Sequence, residues 1–286
     1  MVLQIIINGL LKGGLYALMA IGMSLIWGVM DIINIAHGSF IMLGAFTTYW
    51  LFTLLGINPF LSLIASIALL FIFGYIIQKY LINLIIRASA FITLVLTFGI
   101  EIFINNLAQV LWSADVRMVQ LPYGAANFSI GGFVTIPIMR LIGFLIVIIV
   151  TIILFFILNR TNLGRSIRAT SQDLDAARLV GVDVARTYSV TFGLGVGAAG
   201  AAGTLWSILF PITPMMGGIL TLKSFVVVII GGLGSMVGPL IGGLVLGVTE
   251  ALGTNWLGAT YENLIGFTIL VLVLVIRPKG IMAGAD

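Results

Sequence analysis

The sequence predicts an all-α membrane protein, a helical bundle with about eight spans and at least one broken or re-entrant helix. The chain of 286 residues is 61% hydrophobic and only 8% charged, whereas about a quarter of the residues of a soluble globular protein are charged. Apolar runs of about 20 residues, the length of helix that crosses a bilayer, recur along the whole chain. They leave no room for a soluble domain, so we expect residues 1–286 to form one transmembrane domain.

Eight apolar segments are candidates for the spans. A continuous apolar run favours a helix, whose backbone hydrogen bonds close within the segment, over the short alternating strands of a β-barrel. The first run lacks the basic residues and the small-residue cleavage site of a signal peptide, so we expect it to stay in the protein. The segments are residues 2–27, 32–55, 59–78, 90–112, 138–158, 188–210, 222–257 and 264–276.

Basic residues concentrate in three regions between or after the predicted spans. Because Lys and Arg accumulate in cytoplasmic loops, we expect these regions to be cytoplasmic and the lightly charged segments 112–137 and 210–221 to lie outside. The net charge of +4 therefore indicates orientation in the membrane, not binding to nucleic acid. The basic residues are Lys79 and Arg87, then Arg160, Arg165, Arg168, Arg178 and Arg186, and finally Arg277 and Lys279.

One of the eight segments must be irregular. If each crossed the membrane once, Arg277 and Lys279 would emerge outside, against the charge rule. The best candidate is "VVVIIGGLGSMVGPLIGGLVLG", residues 226–247, because it interrupts segment 222–257, an apolar run that is too long for one span and short for two. Non-helical backbone at membrane depth requires protein or a water-filled cavity around it, so this break predicts a transport path. The interrupting residues are Gly231, Gly232, Gly234, Gly238 and Pro239.

A second polar interruption is "MDIINIAHGSF", residues 30–40. We expect Asp31, Asn34, His37 and Ser39 to cap the break between the first two spans, in preference to direct contact with a substrate. Interruptions in both halves of the chain also hint at an inverted repeat. Asn34 and His37 are retained as candidates for the transport path.

Polar side chains recur every four residues in segment 90–112 and line one face of a helix. An ionised Glu101 on the lipid side would cost about 2.5–3.5 kcal/mol, so we expect this face to meet the bundle interior, a partner subunit or a cavity. A pathway role and a structural polar seam between helices are equally open. We expect Lys12 to extend to the outer interface, and Glu250 and Glu262 to lie near span ends. The polar face consists of Thr93, Thr97, Glu101, Asn105 and Gln109.

The sequence predicts no catalytic site. It contains no G-x-x-x-x-G-K-[ST] motif, so we expect no ATP hydrolysis by a P-loop in this chain. The match to G-x-G-x-x-G at residues 195–200 lies inside a span without a preceding strand, and small residues such as Gly193 and Gly197 indicate close helix packing instead. Because the chain has no cysteine and one histidine, we expect no metal site and no cofactor.

The stretch "SQDLDAARLVGVDVAR", residues 171–186, concentrates charge in an otherwise apolar chain. We expect a short cytoplasmic helix that has Thr170 as its N-cap and Gly181 as a left-handed C-cap. We expect Asp183 to cap the following span. The charges that suit the dipole of the short helix are Asp173 and Asp175 in its first turn and Arg178 in its last turn.

The same short helix carries a small apolar surface. A loop whose only role was to fix orientation would need its arginines but not a capped helix with exposed apolar side chains. We therefore predict that residues 159–187 contain a docking element for a soluble partner. The apolar residues are Ala176, Ala177, Leu179 and Val180.

Four stretches, taken together and in order, resemble the permease subunits of branched-chain amino acid ABC importers. They are "NGLLKGGLYALMAIGMSLIWGVMDIINIAHGSFIMLGAF", "TFGIEIFINNLAQVLW", "LGRSIRATSQDLDAARLVGVDVAR" and "KSFVVVIIGGLGSMVGPLIGGLVLG". The resemblance that rests on them covers nearly the whole chain. The third is similar to the coupling loop of such permeases, here with Asp175, Ala176 and Ala177 followed by Gly181. One departure is Ser39, where many members have an acidic residue.

The resemblance implies a multi-pass subunit of a bacterial or archaeal cytoplasmic membrane, surrounded by lipid. Its implied partners are a second homologous permease, two cytoplasmic ATPases and an extracytoplasmic substrate-binding protein. The implied cargo is branched-chain or other neutral amino acids, and similar permeases that move urea or short amides are an alternative. A stand-alone ion-coupled transporter or channel that uses Glu101 or His37 is the rival from another class.

Overall fold

The computed structural model describes residues 2–85, 89–122, 124, 126–130, 134–235 and 237–282; Arg87 of the predicted basic regions lies outside them. Among the described residues, eight helical segments are long and apolar enough to cross a membrane, and α9 is a shorter apolar helix. The helices are α1 (Val2–Met30), α2 (His37–Leu55), α3 (Pro59–Tyr80), α4 (Ala90–Trp112), α5 (Ile138–Arg160), α6 (Asn162–Gln172), α7 (Leu174–Leu179), α8 (Val184–Leu209), α9 (Gly217–Gly231), α10 (Gly238–Leu257) and α11 (Glu262–Ile276).

Short 3₁₀ turns at Ile82–Ile85 and Ala259–Tyr261 extend α3 and precede α11. The structure adds one small β-hairpin that the sequence analysis did not predict, in which β1 (Asn127–Ile130) pairs antiparallel with β2 (Val134–Pro137). The Gln4 side-chain amide donates to the Thr135 carbonyl and accepts from the Thr135 N–H, both at 2.7 Å. The first turn of α1 therefore lies on the side of the bundle that carries the hairpin.

Glycine contacts hold the centre of the bundle together. A Cβ atom added at Gly195 of α8 would lie 2.7 Å from the Gly22 carbonyl oxygen of α1, and one at Gly243 of α10 would lie 2.6 Å from the Gly13 carbonyl oxygen. Such short distances require glycine, because any side chain would separate the two backbones. The predicted role of small residues in close helix packing is confirmed at these contacts.

The break predicted within 226–247 is confirmed, and it divides this stretch into two antiparallel helices. Helix α9 ends at Gly231, Gly232 and Gly234 have positive φ angles of 106° and 77°, and α10 begins at Gly238. A Cβ at Gly238 would lie 2.7 Å from the Gly231 carbonyl oxygen, so only glycine permits a turn this tight. Helix α9 begins at Gly217, earlier than the predicted start at residue 222.

This helical hairpin removes the difficulty with orientation. The N–H groups of Ile281 and Met282 donate to the carbonyls of Ile230 and Gly231 at 2.9 and 3.0 Å, so these two residues after α11 lie beside the α9–α10 turn. We call this side the basic side, because Arg160 ends α5 here and Arg277 follows α11 here. Helix α9 supplies the additional pass that returns the C-terminal basic residues to the side predicted to be cytoplasmic.

The first interruption is wider than the sequence analysis predicts. Helix α2 begins at His37 and not at residue 32, and its N-cap residue Ala36 makes no side-chain capping bond. The predicted capping of this break by Asp31, Asn34, His37 and Ser39 is therefore wrong. Residues 31–36, here called the unwound segment, run between α1 and α2 without helical structure.

Candidate functional site

The unwound segment lies inside the protein, where its backbone needs polar partners. Ile32, Asn34 and Ala36 are 5%, 1% and 0% exposed, respectively. An unpaired backbone group in such an environment costs several kcal/mol. The structure supplies partners from helices on either side of the segment.

Two threonine hydroxyls bind the backbone of the unwound segment. The Thr97 hydroxyl of α4 donates to the Ile33 carbonyl at 3.0 Å and accepts from the Ile35 N–H at 3.3 Å. The Thr221 hydroxyl of α9 donates to the Ile35 carbonyl at 2.9 Å and accepts from the Gly38 N–H at 2.8 Å. Helices α4 and α9 thus fix this piece of backbone from two directions.

Asn34 and His37 contribute polar atoms that have no partner in the described part of the chain. Neither the amide oxygen nor the amide nitrogen of Asn34 makes a hydrogen bond there, although the residue is 1% exposed. The His37 Nε2 lies 2.8 Å from the Met19 carbonyl oxygen of α1, while its buried Nδ1 is unpaired among the described residues. Buried polar groups normally find a partner, so these atoms are candidates to bind a ligand or an ordered water.

The polar face of α4 meets the same region. Thr93, Thr97 and Glu101 are buried, so the prediction that this face avoids lipid is confirmed. Beyond them, the Ser39 hydroxyl donates to the Asn105 side-chain oxygen at 2.8 Å and joins α2 to α4. The Glu101 carboxylate approaches the start of α9, where a Cβ added at Gly218 would lie 3.3 Å from its Oε1.

The glycines of the α9–α10 turn lie away from the unwound segment. Gly234 packs against Gly28 of α1, where an added Cβ would lie 2.8 Å from the Gly234 Cα. The Ser24 hydroxyl donates to the Ser235 carbonyl at 3.1 Å. His37, by contrast, contacts Met19, which is two and a half turns, about 13 Å, before Gly28 on α1. The structure therefore brings together Asn34, His37, Thr97, Glu101 and Asn105, but separates Gly231, Gly232 and Gly234 from them.

An ion-pair network joins α9 to three other helices. The Lys223 ammonium lies 3.0 Å from the Glu250 carboxylate and 2.5 Å from that of Glu262, and Lys12 lies 3.2 and 2.9 Å from the same two residues. The Tyr16 hydroxyl donates to Glu250 at 2.7 Å. Two positive and two negative side chains thus compensate one another among α1, α9, α10 and α11, as charges inside a membrane protein must.

Sequence reasoning missed this ion-pair network. The prediction that Glu250 lies near a span end is wrong, since Glu250 is 1% exposed and pairs within the bundle, whereas the same prediction is confirmed for Glu262, the first residue of α11. The available signal was Lys223, a lysine within an apolar run of α9. A charged residue in a span requires a partner, but the sequence does not show that Lys223 pairs with Glu250 of α10 and Glu262 of α11.

The predicted coupling segment forms two short helices instead of one. Thr170 lies inside α6, where its hydroxyl donates to the Ser166 carbonyl at 2.9 Å, so its predicted role as an N-cap is wrong. Asp173 is the N-cap of α7, and its carboxylate accepts from the N–H groups of Asp175 and Ala176, both at 2.9 Å. The predicted cap of α8 is confirmed, since Asp183 accepts from the Arg186 N–H at 3.0 Å.

The end of α7 is a left-handed glycine cap. Gly181 has a φ angle of 85°, as predicted, and its N–H donates to the Arg178 carbonyl at 3.0 Å. The Val182 N–H donates to the Ala177 carbonyl at 3.0 Å, which completes a Schellman motif. A cap of this kind turns the chain sharply into α8 and fixes the orientation of α7.

Helix α7 projects apolar side chains away from the bundle. Leu179 and Val180 are 90% and 78% exposed, whereas Ala177 is buried against the protein. Ala176 is exposed beside Asp175, and the Asp175 carboxylate pairs with Arg178 at 3.4 Å. An isolated exposed ion pair contributes at most about 1 kcal/mol, so the caps, more than this pair, maintain the helix.

We predict that Lys223→Met strongly destabilises the bundle, because it leaves the buried Glu250 and Glu262 with Lys12 as their one remaining cationic partner in the network. Breaking a buried pair in this way costs about 3–5 kcal/mol. Unfolding of the purified protein in detergent, followed by helical circular dichroism, measures the change.

The matched control is Lys79→Met, which removes a lysine whose ammonium lies over two tyrosine rings, at 5.2 and 6.0 Å. We expect that control to change stability by less than about 1 kcal/mol. The double variant Lys223→Met with Glu250→Leu should lose less stability than Lys223→Met, since Lys12 then keeps Glu262. Equal stability of Lys223→Met and Lys79→Met would contradict the role given to the ion-pair network.

Comparison with known proteins gives a consistent result along nearly the entire chain. The family model described as "Branched-chain amino acid transport system / permease component" matches residues 5–275. The chain is 33% identical over 294 residues to the high-affinity branched-chain amino acid transport system permease protein BraD of Pseudomonas aeruginosa, with 98% of this chain and 95% of that protein covered.

Two further relatives are LivH proteins. The high-affinity branched-chain amino acid transport system permease protein LivH of Escherichia coli K12 is 30% identical over 296 residues, covering 98% of this chain and 95% of its own. The probable branched-chain amino acid transport permease protein LivH of Methanocaldococcus jannaschii is 29% identical over 299 residues, covering 99% and 93%. No solved structure matches the chain. The chain belongs to the family of permease components of branched-chain amino acid transport systems.

Proposed function

We propose that this permease imports branched-chain or other neutral amino acids, and that the amino acid passes the unwound segment beside Asn34. The family makes the chain a multi-pass subunit of an ABC importer in the cytoplasmic membrane, and not itself an enzyme. The cargo named for its relatives supports the choice of substrate. The observation that carries the proposal is the buried amide of Asn34 in the unwound segment, whose two polar atoms find no partner among the described residues.

The chemistry around Asn34 suits a zwitterion with an apolar side chain. An amide offers both a donor and an acceptor, so it can bind either an ammonium or a carboxylate without a fixed charge of its own. The neighbouring hydroxyls of Thr97 and Thr221 are neutral, and Glu101, one turn beyond Thr97, is the one acidic residue of α4. A path with few fixed charges lets a net-neutral molecule bind weakly enough to leave again.

The partners follow from the same family. Because this chain has no P-loop, partner subunits must hydrolyse the ATP. The partners that the family implies are two cytoplasmic ATPases, a second homologous permease and an extracytoplasmic binding protein. In this proposal the ATPases dock on α7, where Leu179 and Val180 offer apolar area and Asp175 and Arg178 offer charge. Closure of the ATPase pair moves α7, and the Gly181 cap transmits this movement to α8.

We predict that Asn34→Leu lowers amino-acid uptake about tenfold or more, the factor expected when a hydrogen bond to a charged group is lost. Uptake of labelled leucine into proteoliposomes that contain the complete importer measures this, and co-purification of the ATPases should be unchanged. The matched control is Asn106→Leu, because Asn106 is exposed and its side-chain amide donates to the Ile102 carbonyl of its own helix.

Equal uptake by the two variants would contradict the proposed role of Asn34. Uptake by the isolated chain, driven by an ion gradient without ATPases, would instead contradict the importer and favour the rival mechanism through Glu101 or His37.

We predict that Gly181→Val uncouples ATP hydrolysis from uptake while Gly181→Asn does not. A Cβ at this position meets no atom within 4 Å, so a side chain brings no clash, but the φ angle of 85° strains a β-branched residue. Asn tolerates this conformation far better than Val. The amount of ATPase co-purified and the leucine transported per ATP measure the effect, and identical values for both variants would contradict the coupling role of α7.

A further inference from the structure

A cavity of about 660 Å³ opens on the basic side of the bundle. Its walls come from the second half of α1, the second half of α5, the helix α6 and the α9–α10 turn. It is distinct from the site beside Asn34, since Asn34, His37, Thr97 and Thr221 do not line it. Nothing in the proposed path of the amino acid uses it.

The lining of this cavity divides into an apolar part and a polar end. Along α1, α5 and α10 the walls are apolar side chains such as Leu25, Phe155 and Leu240. The polar end is formed where α5 gives way to α6, by Asn159, Arg168, Ser171 and Gln172. An amphiphile with one polar end and a long apolar part matches this division.

Helix α6 holds the polar end at the level of the membrane surface. Its Ile167 is 1% exposed and packs with Leu25 and Leu158, while the Thr161 hydroxyl caps its first turn by accepting from the Gly164 N–H at 3.1 Å. The opposite face of α6 is polar. A helix of this kind lies parallel to the membrane with its apolar face inward and its basic face among the lipid headgroups.

The charge at this end is positive. Residues 155–172 contain three arginines and no acidic residue. Arg168 donates to the Leu158 carbonyl at the end of α5, which holds its guanidinium at the edge of the cavity and leaves further N–H donors available. Arg160 and Arg165 are exposed nearby and add to the field.

We infer that this cavity binds an anionic phospholipid, with an acyl chain between α1 and α5 and the headgroup phosphate at Arg168. Arginine binds phosphate through two parallel N–H donors, and basic pockets between transmembrane helices on the cytoplasmic side suit anionic headgroups. Free phosphate would leave the apolar walls without a partner. A helix of the second permease would need an acidic side chain to neutralise Arg168.

Native mass spectrometry of the purified importer tests this inference. The complex is exchanged into nanodiscs of phosphatidylglycerol and phosphatidylcholine in equal amounts, released, and the retained lipid is counted. We expect preferential retention of phosphatidylglycerol, and Arg168→Gln should reduce this preference about fivefold, the factor for one basic side chain at an anionic surface. Arg168→Lys should restore most of it.

The matched control is Arg165→Gln, which removes the same charge from an exposed position of α6 that does not line the cavity. We expect Arg165→Gln to reduce the preference for phosphatidylglycerol less than twofold. Equal losses for Arg165→Gln and Arg168→Gln would show nonspecific attraction and overturn the inference, as would displacement of the retained lipid by inorganic phosphate. Thermal unfolding of Arg168→Gln, Arg168→Lys and Arg165→Gln should be unchanged, so that differences in retained lipid report binding and not loss of the fold.

A second variant tests the apolar part independently of charge. Because the chain has no cysteine, Leu240→Cys can be labelled uniquely with a photoreactive maleimide in native membranes. We expect the label on Leu240→Cys to capture phospholipid. We also expect Leu240→Trp, which fills the same space and keeps Arg168, to lower the number of lipids that the importer retains. Capture of the second permease at Leu240→Cys would overturn the inference and identify the cavity as a subunit interface.

Discussion

The structure depends on one constraint: backbone that leaves the helical form inside a membrane protein must find hydrogen-bond partners there. Residues 31–36 satisfy this constraint through two hydroxyls. The Thr97 hydroxyl donates to and accepts from the unwound segment, and the Thr221 hydroxyl donates to the segment and accepts from its neighbour Gly38. These bonds hold a non-helical stretch open beside α1. Asn34 is thereby presented with both amide atoms unpaired among the described residues.

That arrangement requires α9 to stay in position, and two kinds of contact keep it there. One face of α9 carries Thr221 toward the unwound segment, and another carries Lys223 into the ion-pair network with Glu250 and Glu262. Glycine contacts between α1, α8 and α10 then fix the helices that supply the remaining members of the network. A movement that starts at α7 would reach the unwound segment through α8, against which α1 and α2 pack at Gly22 and Gly44.

Features that depend on neighbouring residues could be predicted from the sequence, whereas contacts between residues far apart in the chain could not. The spans, the break within 226–247, the Asp183 cap and the left-handed Gly181 each depend on residues within a few positions of one another, so periodicity and capping rules sufficed. Thr170 failed as a cap because Asp173, three residues later, offers a carboxylate at the true start of α7. The partners of Lys12 lie 238 residues and more along the chain. The threonines that bind Ile35 of the unwound segment are separated from it by 62 and 186 residues, so only the fold reveals them.

The most direct test of the central claim measures access to the unwound segment during transport. The cysteine-free chain allows a single Asn34→Cys substitution in the complete importer, with Gly99→Cys on the exposed face of α4 as the lipid-facing control. If substrate passes here, a small water-soluble thiol reagent should modify Asn34→Cys during ATP-driven turnover, and saturating leucine should slow this reaction. Modification that is absent during turnover, or that leucine does not change, would contradict a path beside the unwound segment.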